Sequence, residues 1–284
     1  MRTTYRIREP YASIFLQCAK DMPCNSPVRP ERFIKVMEEN QGSLGMMTGH
    51  GLAEDGLERR NPVIAAMGDS VTAGHFEMLV PATEEGMKAF FKKMHEDGPR
   101  PAIEVTDVRE SYVEQFRAML IDKYERTSVS TVNCGIAGDN LIQMDKRLYR
   151  DVIQLQPHLV LINGSLNWDA GLGSTEFYHD LLRSMVQRLK AETAADIVLL
   201  THNAMVPMSL FPGQEPAPYT LPERVEAIRE IAKAEQVCLA DTYAVWEAAR
   251  DAGCPWEELL ANRTNHPSAE GHTVYAMTLM KLFE

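Results

Sequence analysis

The sequence predicts a three-layer α/β/α sandwich built around a five-stranded parallel sheet. From residue 63 to residue 283, short apolar runs alternate with segments in which apolar residues recur at helical spacing. The apolar runs are continuous, which is typical of strands buried on both faces of a parallel sheet. Small polar residues follow directly after three of them. We therefore expect helices on both faces of the sheet and a functional site at the carboxyl ends of its strands.

Five segments are predicted to be strands because they are short, apolar and bounded by small or polar residues. They span residues 63–67, 128–134, 158–163, 197–201 and 237–240. Helices are predicted between these strands and at the end of the chain. They span residues 111–124, 141–155, 175–191 and 268–283, with a further helix between a proline-rich loop at 207–222 and the last strand.

The chain is predicted to hold one α/β domain, at residues 61–284, preceded by an N-terminal extension. Residues 1–60 lack the alternation of strands and helices, although residues 30–39 predict a short amphipathic helix. Glycines concentrated in residues 42–56 predict a loop, and residues 81–107 form a largely polar insertion. We expect residues 1–60 to pack on the core of the domain.

The composition restricts the partners and the compartment. The formal net charge is −11 without any long basic run, which argues against nucleic acid and anionic membranes as partners. We find no bilayer-spanning apolar segment and no signal-peptide pattern at the first residues. The five cysteines are odd in number and contain no Cys-x-x-Cys pair, so a disulfide framework or a zinc site is not expected. These features predict a cytoplasmic protein; the oligomeric state stays open.

The first predicted strand ends in Gly68-Asp69-Ser70, a turn that can start a helix. A serine at this position lies at the carboxyl end of a strand, where open α/β sheets bind their ligands. Its backbone N–H also lies near a helix N-terminus, which favours negative charge. The alternative is a structural turn in which the serine only caps the helix.

Two further polar clusters follow the second and third strands. The second strand ends in Gly135-Ile-Ala-Gly138-Asp-Asn140, and the third is followed by Ser165-Leu-Asn167. Since the carboxyl ends of parallel strands meet at one edge of the sheet, all three clusters are expected to converge there. Asp69 and Asp139 are interpreted as loop-holding residues. His75 and His202 are candidates for lining the pocket.

His266 lies in the loop that enters the last predicted helix, followed by Pro267 and Ser268, which suit a helix start. With Ser70 as nucleophile and His266 as base, the chain has the two groups that acyl transfer requires. The backbone N–H groups of Ser70 and Gly138 and the side-chain amide of Asn167 are the predicted donors of an oxyanion hole.

These segments together resemble the SGNH (GDSL-type) hydrolases, which are named for four residues in four sequence blocks. Gly68-Asp-Ser70-Val-Thr-Ala-Gly74 is similar to the first block, and Gly138 and Asn167 match the glycine and asparagine of the second and third. His266-Pro-Ser-Ala-Glu-Gly-His272 is similar to the block that carries the catalytic histidine. The resemblance covers about residues 62–283 and implies a flavodoxin-like sheet, no cofactor or metal, and hydrolysis of a small ester.

The sequence departs from the family pattern in two places. Ser165-Leu-Asn167-Trp168 replaces the usual Gly-x-Asn-Asp, although the asparagine is retained. Arg263 occupies the position of the triad acid, three residues before the histidine, and an arginine side chain cannot accept the Nδ1–H of His266. The backbone carbonyl of Arg263 is therefore the favoured orienting group, followed by a side-chain oxygen of Asn262 and then by Asp169.

The sequence thus predicts a serine esterase for short-chain, acetyl-type esters of a small molecule or oligosaccharide. Two alternatives stay open: an acyltransferase that uses the same site, and a non-catalytic carbohydrate-binding relative, which the missing triad acid suggests. The natural substrate and its acyl group are not indicated by the sequence.

Overall fold

The computed structural model describes residues 5–40, 61–78, 92, 104–125, 127–206 and 219–284, and it confirms the predicted α/β/α architecture. Its main sheet is parallel throughout and contains five strands. They are β1 (Val63–Gly68), β4 (Ser130–Gly135), β5 (Leu159–Asn163), β6 (Asp196–Leu200) and β7 (Cys238–Ala240). Their order across the sheet is β4-β1-β5-β6-β7, the flavodoxin-like order.

A second, two-stranded ladder was not expected from the sequence. β2 (His75–Met78) pairs with β3 (Glu104–Asp107) in antiparallel orientation, at the two ends of the predicted polar insertion. Each strand has only four residues and the two are far apart in the sequence, so neither periodicity nor a turn signal marks them. The predicted loop at residues 42–56, most of the insertion and most of the proline-rich loop lie outside the described residues.

The observed helices match the predicted segments, and the structure contains several further helices that the sequence analysis had not located. The longer ones are α1 (Tyr11–Asp21), α2 (Glu31–Glu39), α4 (Tyr112–Lys123), α5 (Leu141–Asp151), α6 (Thr175–Glu192), α7 (Leu221–Ala234), α8 (Thr242–Asp251) and α10 (Ala269–Met280). Two short helices, α3 (Ser70–Ala73) and α9 (Trp256–Leu259), lie at turns. The segment predicted as one helix at residues 141–155 ends at Asp151 and continues as a 3₁₀ turn.

The sheet separates two apolar cores, which is why its strands read as continuous apolar runs. Along β1, Ala65 and Met67 pack with α5, α6 and α7, whereas Ile64 and Ala66 pack with α2, α4 and α10. The inner strands β5 and β6 alternate in the same way. Successive side chains of a strand point to opposite faces, so both faces of the sheet are covered.

Residues 5–40 lie against this sandwich through specific contacts. Phe15 of α1 meets Trp246 of α8 edge to face, with ring centroids 4.9 Å apart. The N–H of Phe33 in α2 donates to the Asp196 carboxylate at the start of β6, at 2.8 Å. The boundary at residue 60 falls outside the described residues, so the division into 1–60 and 61–284 stays a prediction. Among the helices described, none is long and apolar enough to cross a membrane.

Candidate active site

Ser70 begins α3 directly after β1, in a sharp turn that only glycine at position 68 permits. A Cβ at Gly68 would lie 2.0 Å from Thr72 Oγ1 and 2.9 Å from the carbonyl oxygen of Asn163. Asp69 is the N-cap of α3, and its Oδ1 accepts the Val71 N–H at 2.9 Å. This cap frees the Ser70 hydroxyl from a capping role, so the alternative reading of Ser70 as a structural cap is wrong.

The structure brings Ser70 and His266 together, 196 residues apart in the chain. Ser70 Oγ lies 3.0 Å from His266 Nε2, within the range expected for a nucleophile and its base. Both side chains are buried, with 5% and 9% of their surface exposed. His266 is held by a short antiparallel bridge between Leu260 and Pro267 at the entrance of α10.

Asn262 organises the loop that carries His266. Its Oδ1 accepts three backbone N–H groups, from Thr264 at 3.1 Å and from Asn265 and His266 at 2.9 Å each. An amide rotated by 180° would turn its NH₂ group toward these three donors, so the orientation of the amide is fixed by chemistry. The Nδ2 group consequently faces His266 Nδ1 at 3.2 Å.

This orientation corrects the sequence-based prediction for the histidine-orienting group. Asn262 lies against Nδ1, where it presents a donor and not the predicted oxygen. The guanidinium of Arg263 contacts Glu258 Oε1 at 2.7 Å, and its backbone is left-handed, with φ of 63°; the predicted role of the Arg263 carbonyl stays a prediction. Asp169 accepts the Gly171 N–H within its own turn. A neutral His266 that accepts from Asn262 at Nδ1 carries its proton on Nε2, toward Ser70.

Hydrogen bonds connect the loops that carry the predicted oxyanion donors. The N–H of Ile136 donates to the Gly68 carbonyl at 3.1 Å, which ties the end of β4 to the end of β1. Asn167 Nδ2 donates to the Asp139 carbonyl at 3.0 Å, which ties the β5 loop to the β4 loop. An amide nitrogen has two hydrogens, so Asn167 has a second N–H beyond the one used in this bond. Gly138 is exposed and has a φ of 80°, a conformation that favours glycine.

Arg147 of α5 is a buried residue that the sequence analysis missed. Its guanidinium donates to the Asp139 carboxylate at 2.6 Å, the Cys134 carbonyl at 2.6 Å and the Gly68 carbonyl at 3.0 Å. It also contacts Asp151 at 2.9 Å. Asp139 was expected to hold its loop through a hydrogen bond between its side chain and the loop backbone. Instead, it does so through an ion pair with Arg147. The signal in the sequence is a lone arginine on the apolar side of a helix, beside Met144 and Leu148.

We predict that Arg147→Met lowers the free energy of unfolding by about 3–5 kcal/mol, because the buried carboxylate of Asp139 then loses its partner. Urea denaturation measures the change. The matched control is Arg188→Met on α6: Arg188 makes an equally short ion pair with Asp145, at 2.7 Å, but its side chain is 38% exposed against 8% for Arg147. The control is expected to lose less than about 1 kcal/mol. Equal losses in the two variants would contradict the clamping role of Arg147.

The comparison with known families agrees with this geometry. A model of the GDSL-like lipase/acylhydrolase family matches residues 66–274, nearly three quarters of the chain, including Ser70 and His266. The chain belongs to this family. Membership makes the GDSL chain a carboxylic ester hydrolase and confirms the resemblance stated from the four sequence blocks. No curated protein matches the sequence.

Solved structures of other proteins share the fold of this GDSL chain. The acetylxylan esterase Axe2 from Geobacillus stearothermophilus superposes with a TM-score of 0.56 at 22% identity, over 78% of this chain and 93% of Axe2. LAE5, an α/β hydrolase from the metagenome of Lake Arreo, gives 0.56 at 19% identity, over 78% and 94%. A candidate GDSL-like lipase from Parabacteroides merdae gives 0.58 at 18% identity, over 78% and 95%. Catalytic mutants of Axe2 replace a serine or a histidine by alanine.

Proposed function

We propose that this GDSL protein hydrolyses short-chain, acetyl-type esters of a small molecule or oligosaccharide, with Ser70 as nucleophile and His266 as base. The observation that carries the proposal is the 3.0 Å contact between Ser70 Oγ and His266 Nε2 at the carboxyl edge of the sheet. The depth of Ser70, which is only 5% exposed, favours a small acyl group. The fold shared with an acetylxylan esterase supports the same substrate class.

The mechanism has two steps. His266 Nε2 takes the Ser70 proton while Oγ attacks the ester carbonyl, and the same proton then passes to the departing alcohol as its C–O bond breaks. Water, deprotonated by His266, next attacks the acyl-enzyme and releases the carboxylic acid and free Ser70. The N–H groups of Ser70 and Gly138 and the Asn167 amide stabilise the oxyanion in both steps, each contributing about 3 kcal/mol to the lowering of the barrier.

The Asn262 amide opposes this mechanism in the resting site. The base must keep Nε2 free of a proton, so its hydrogen has to lie on Nδ1, where it meets the Asn262 NH₂ group. That tautomer gives up the hydrogen bond from Asn262, which costs about 1 kcal/mol and disfavours it by roughly fivefold. A neutral neighbour also stabilises the imidazolium less than a carboxylate would. We therefore propose a slow hydrolase.

A panel of p-nitrophenyl acetate, butyrate and octanoate tests the substrate class. We expect kcat/KM to fall from acetate to octanoate by at least about tenfold, because a small site cannot accept the longer chains. A rate that rises with chain length would contradict the assignment. Acetylated xylo-oligosaccharides extend the panel to a sugar ester, and product analysis with free sugar acceptors distinguishes hydrolysis from acyl transfer to an alcohol.

A fluorophosphonate probe tests the nucleophile independently of the substrate. Such probes form a covalent bond only with an activated serine, so intact-mass and peptide analysis should place one adduct on Ser70.

A cytoplasmic location is proposed as well, because all five cysteines are free in the structure, including the exposed Cys24.

A further inference from the structure

A chain of polar side chains, none of which the proposed mechanism uses, lies buried behind the Ser70 turn and reaches the loop of His266. Its members are Asp69, His202, Tyr275 and Asn203, each without exposed surface. His202 had been predicted as a candidate pocket-lining residue, and the structure places it in the interior instead. Buried polar groups of this kind are costly unless they are bonded to one another.

The hydrogen-bond directions in this chain are set from the His266 side. Asn203 Nδ2 donates to the carbonyl of Asn265, next to His266, at 2.9 Å and to the Ala204 carbonyl at 2.8 Å. Its Oδ1 is therefore an acceptor, and the Tyr275 hydroxyl donates to it at 3.0 Å. Burial raises the pKa of Tyr275 well above its usual value, so the hydroxyl keeps its proton. The hydroxyl oxygen also accepts the Asn203 N–H at 2.6 Å and lies 3.2 Å from His202 Nδ1, so it joins the two side chains.

His202 also reaches Asp69. Its Nε2 lies 3.3 Å from Asp69 Oδ2, and neither atom forms a hydrogen bond to any other described group. Buried polar atoms are costly to leave without a polar neighbour, so this contact ties the two side chains to each other. The other Asp69 oxygen holds the Val71 N–H at the start of α3. The buried chain thus connects the residue before the nucleophile to the residue before the base.

We propose that Asp69 and His202 are positioning residues that, through Tyr275 and Asn203, hold the Ser70 turn and the His266 loop at their working separation. The proposal rests on the proposed function only in taking Ser70 and His266 as the reacting groups. Small displacements of such a pair are expensive, since an error of about 1 Å can cost 100-fold in rate.

The first test removes the central hydroxyl. Tyr275→Phe is expected to lower kcat by about tenfold or more while KM stays within about twofold, because the substrate-binding groups are untouched. The matched control is Tyr243→Phe, which also deletes a buried phenol hydroxyl, bonded to Tyr219 OH at 3.2 Å, but in the core beneath α1. The control should keep kcat within about twofold. Equal losses of kcat in both variants would overturn the proposal.

The second test uses two substitutions of Asp69 that separate the helix cap from the contact with His202. Asp69→Asn retains both, because its oxygen can accept from Val71 and its NH₂ group can donate to Nε2 of the His202 tautomer that carries its proton on Nδ1, toward the Tyr275 hydroxyl oxygen. We therefore expect kcat to stay within about threefold of wild type. Asp69→Ser keeps an N-cap oxygen but does not reach His202, and kcat should fall by about tenfold or more. If both variants keep full activity, or both lose it equally, His202 has no positioning role.

The third test needs no substrate and is made on the unaltered protein. Nitrogen-15 spectra of the histidines, with His202 assigned through its absence in His202→Gln, should show a proton on Nε2, the nitrogen that faces the Asp69 carboxylate. A proton on Nδ1 alone, with Nε2 unprotonated, would overturn the contact between His202 and Asp69. If the wild-type protein hydrolyses no ester, the proposed function fails while this spectrum still decides whether the buried chain is as described.

Discussion

Asn262→Asp is expected to raise kcat for ester hydrolysis by about 100-fold. In serine proteases, the reverse substitution at the histidine-orienting aspartate costs about 10⁴-fold, largely because the imidazole takes the wrong tautomer. In this protein Asn262 directs its NH₂ group at His266 Nδ1. A carboxylate there accepts the Nδ1–H, leaves Nε2 free to take the Ser70 proton and stabilises the imidazolium that follows.

The loop can accommodate this aspartate without rebuilding. One carboxylate oxygen keeps the three backbone N–H groups that Asn262 Oδ1 now accepts. The second oxygen would meet Asn265 Oδ1, which lies 2.8 Å from Asn262 Nδ2, so the half-buried Asn265 amide has to rotate and become a donor. The control is Asn265→Asp, which adds the same charge to the loop but keeps the Asn262 amide against the ring. A gain in that variant equal to the gain in Asn262→Asp would show that charge alone matters.

Ser70→Ala is expected to lower kcat by at least about 10³-fold, since no other group can form the acyl-enzyme. The fold should be unaffected because the cap of α3 is Asp69 and the Ser70 hydroxyl bonds only to the His266 ring among the described contacts. Steady-state rates on p-nitrophenyl acetate measure the effect, and thermal unfolding checks the fold. Ser174→Ala, which removes an exposed helix-capping hydroxyl from α6, is the control for a serine-to-alanine change. Turnover above a few per cent of wild type in pure Ser70→Ala protein would exclude Ser70 as the nucleophile.

The sequence predicted most of the sheet because burial on both faces leaves a direct mark. The inner strands β1, β5 and β6 are continuous apolar runs, and their observed bounds lie within one or two residues of the predicted ones. Helix α1 was not predicted from the sequence. Its buried residue Phe15 packs on Trp246, which lies more than two hundred residues later in the chain. Contacts of this kind depend on the tertiary fold and not on local spacing.

The site was predicted in part for similar reasons. Ser70, Gly138, Asn167 and His266 lie in motifs at strand or helix ends, and the structure places their loops at one edge of the sheet. The prediction that a side-chain oxygen of Asn262 faces His266 was wrong, because three backbone N–H groups of its own loop set the orientation of that amide. His202 was misplaced because a histidine after a strand end can point either toward the pocket or into the interior, and sequence position alone does not distinguish the two.

The guanidinium of Arg147 has a consequence for the energetics of each turnover. It holds the ends of β1 and β4 together with the Asp139 side chain, and so it orders the loop of Gly138, a donor in the proposed oxyanion hole, before any substrate arrives. The work of ordering that loop is therefore done when the chain folds. Little reorganisation is then left for the moment at which negative charge develops on the substrate oxygen, which is the condition under which fixed donors lower a barrier most.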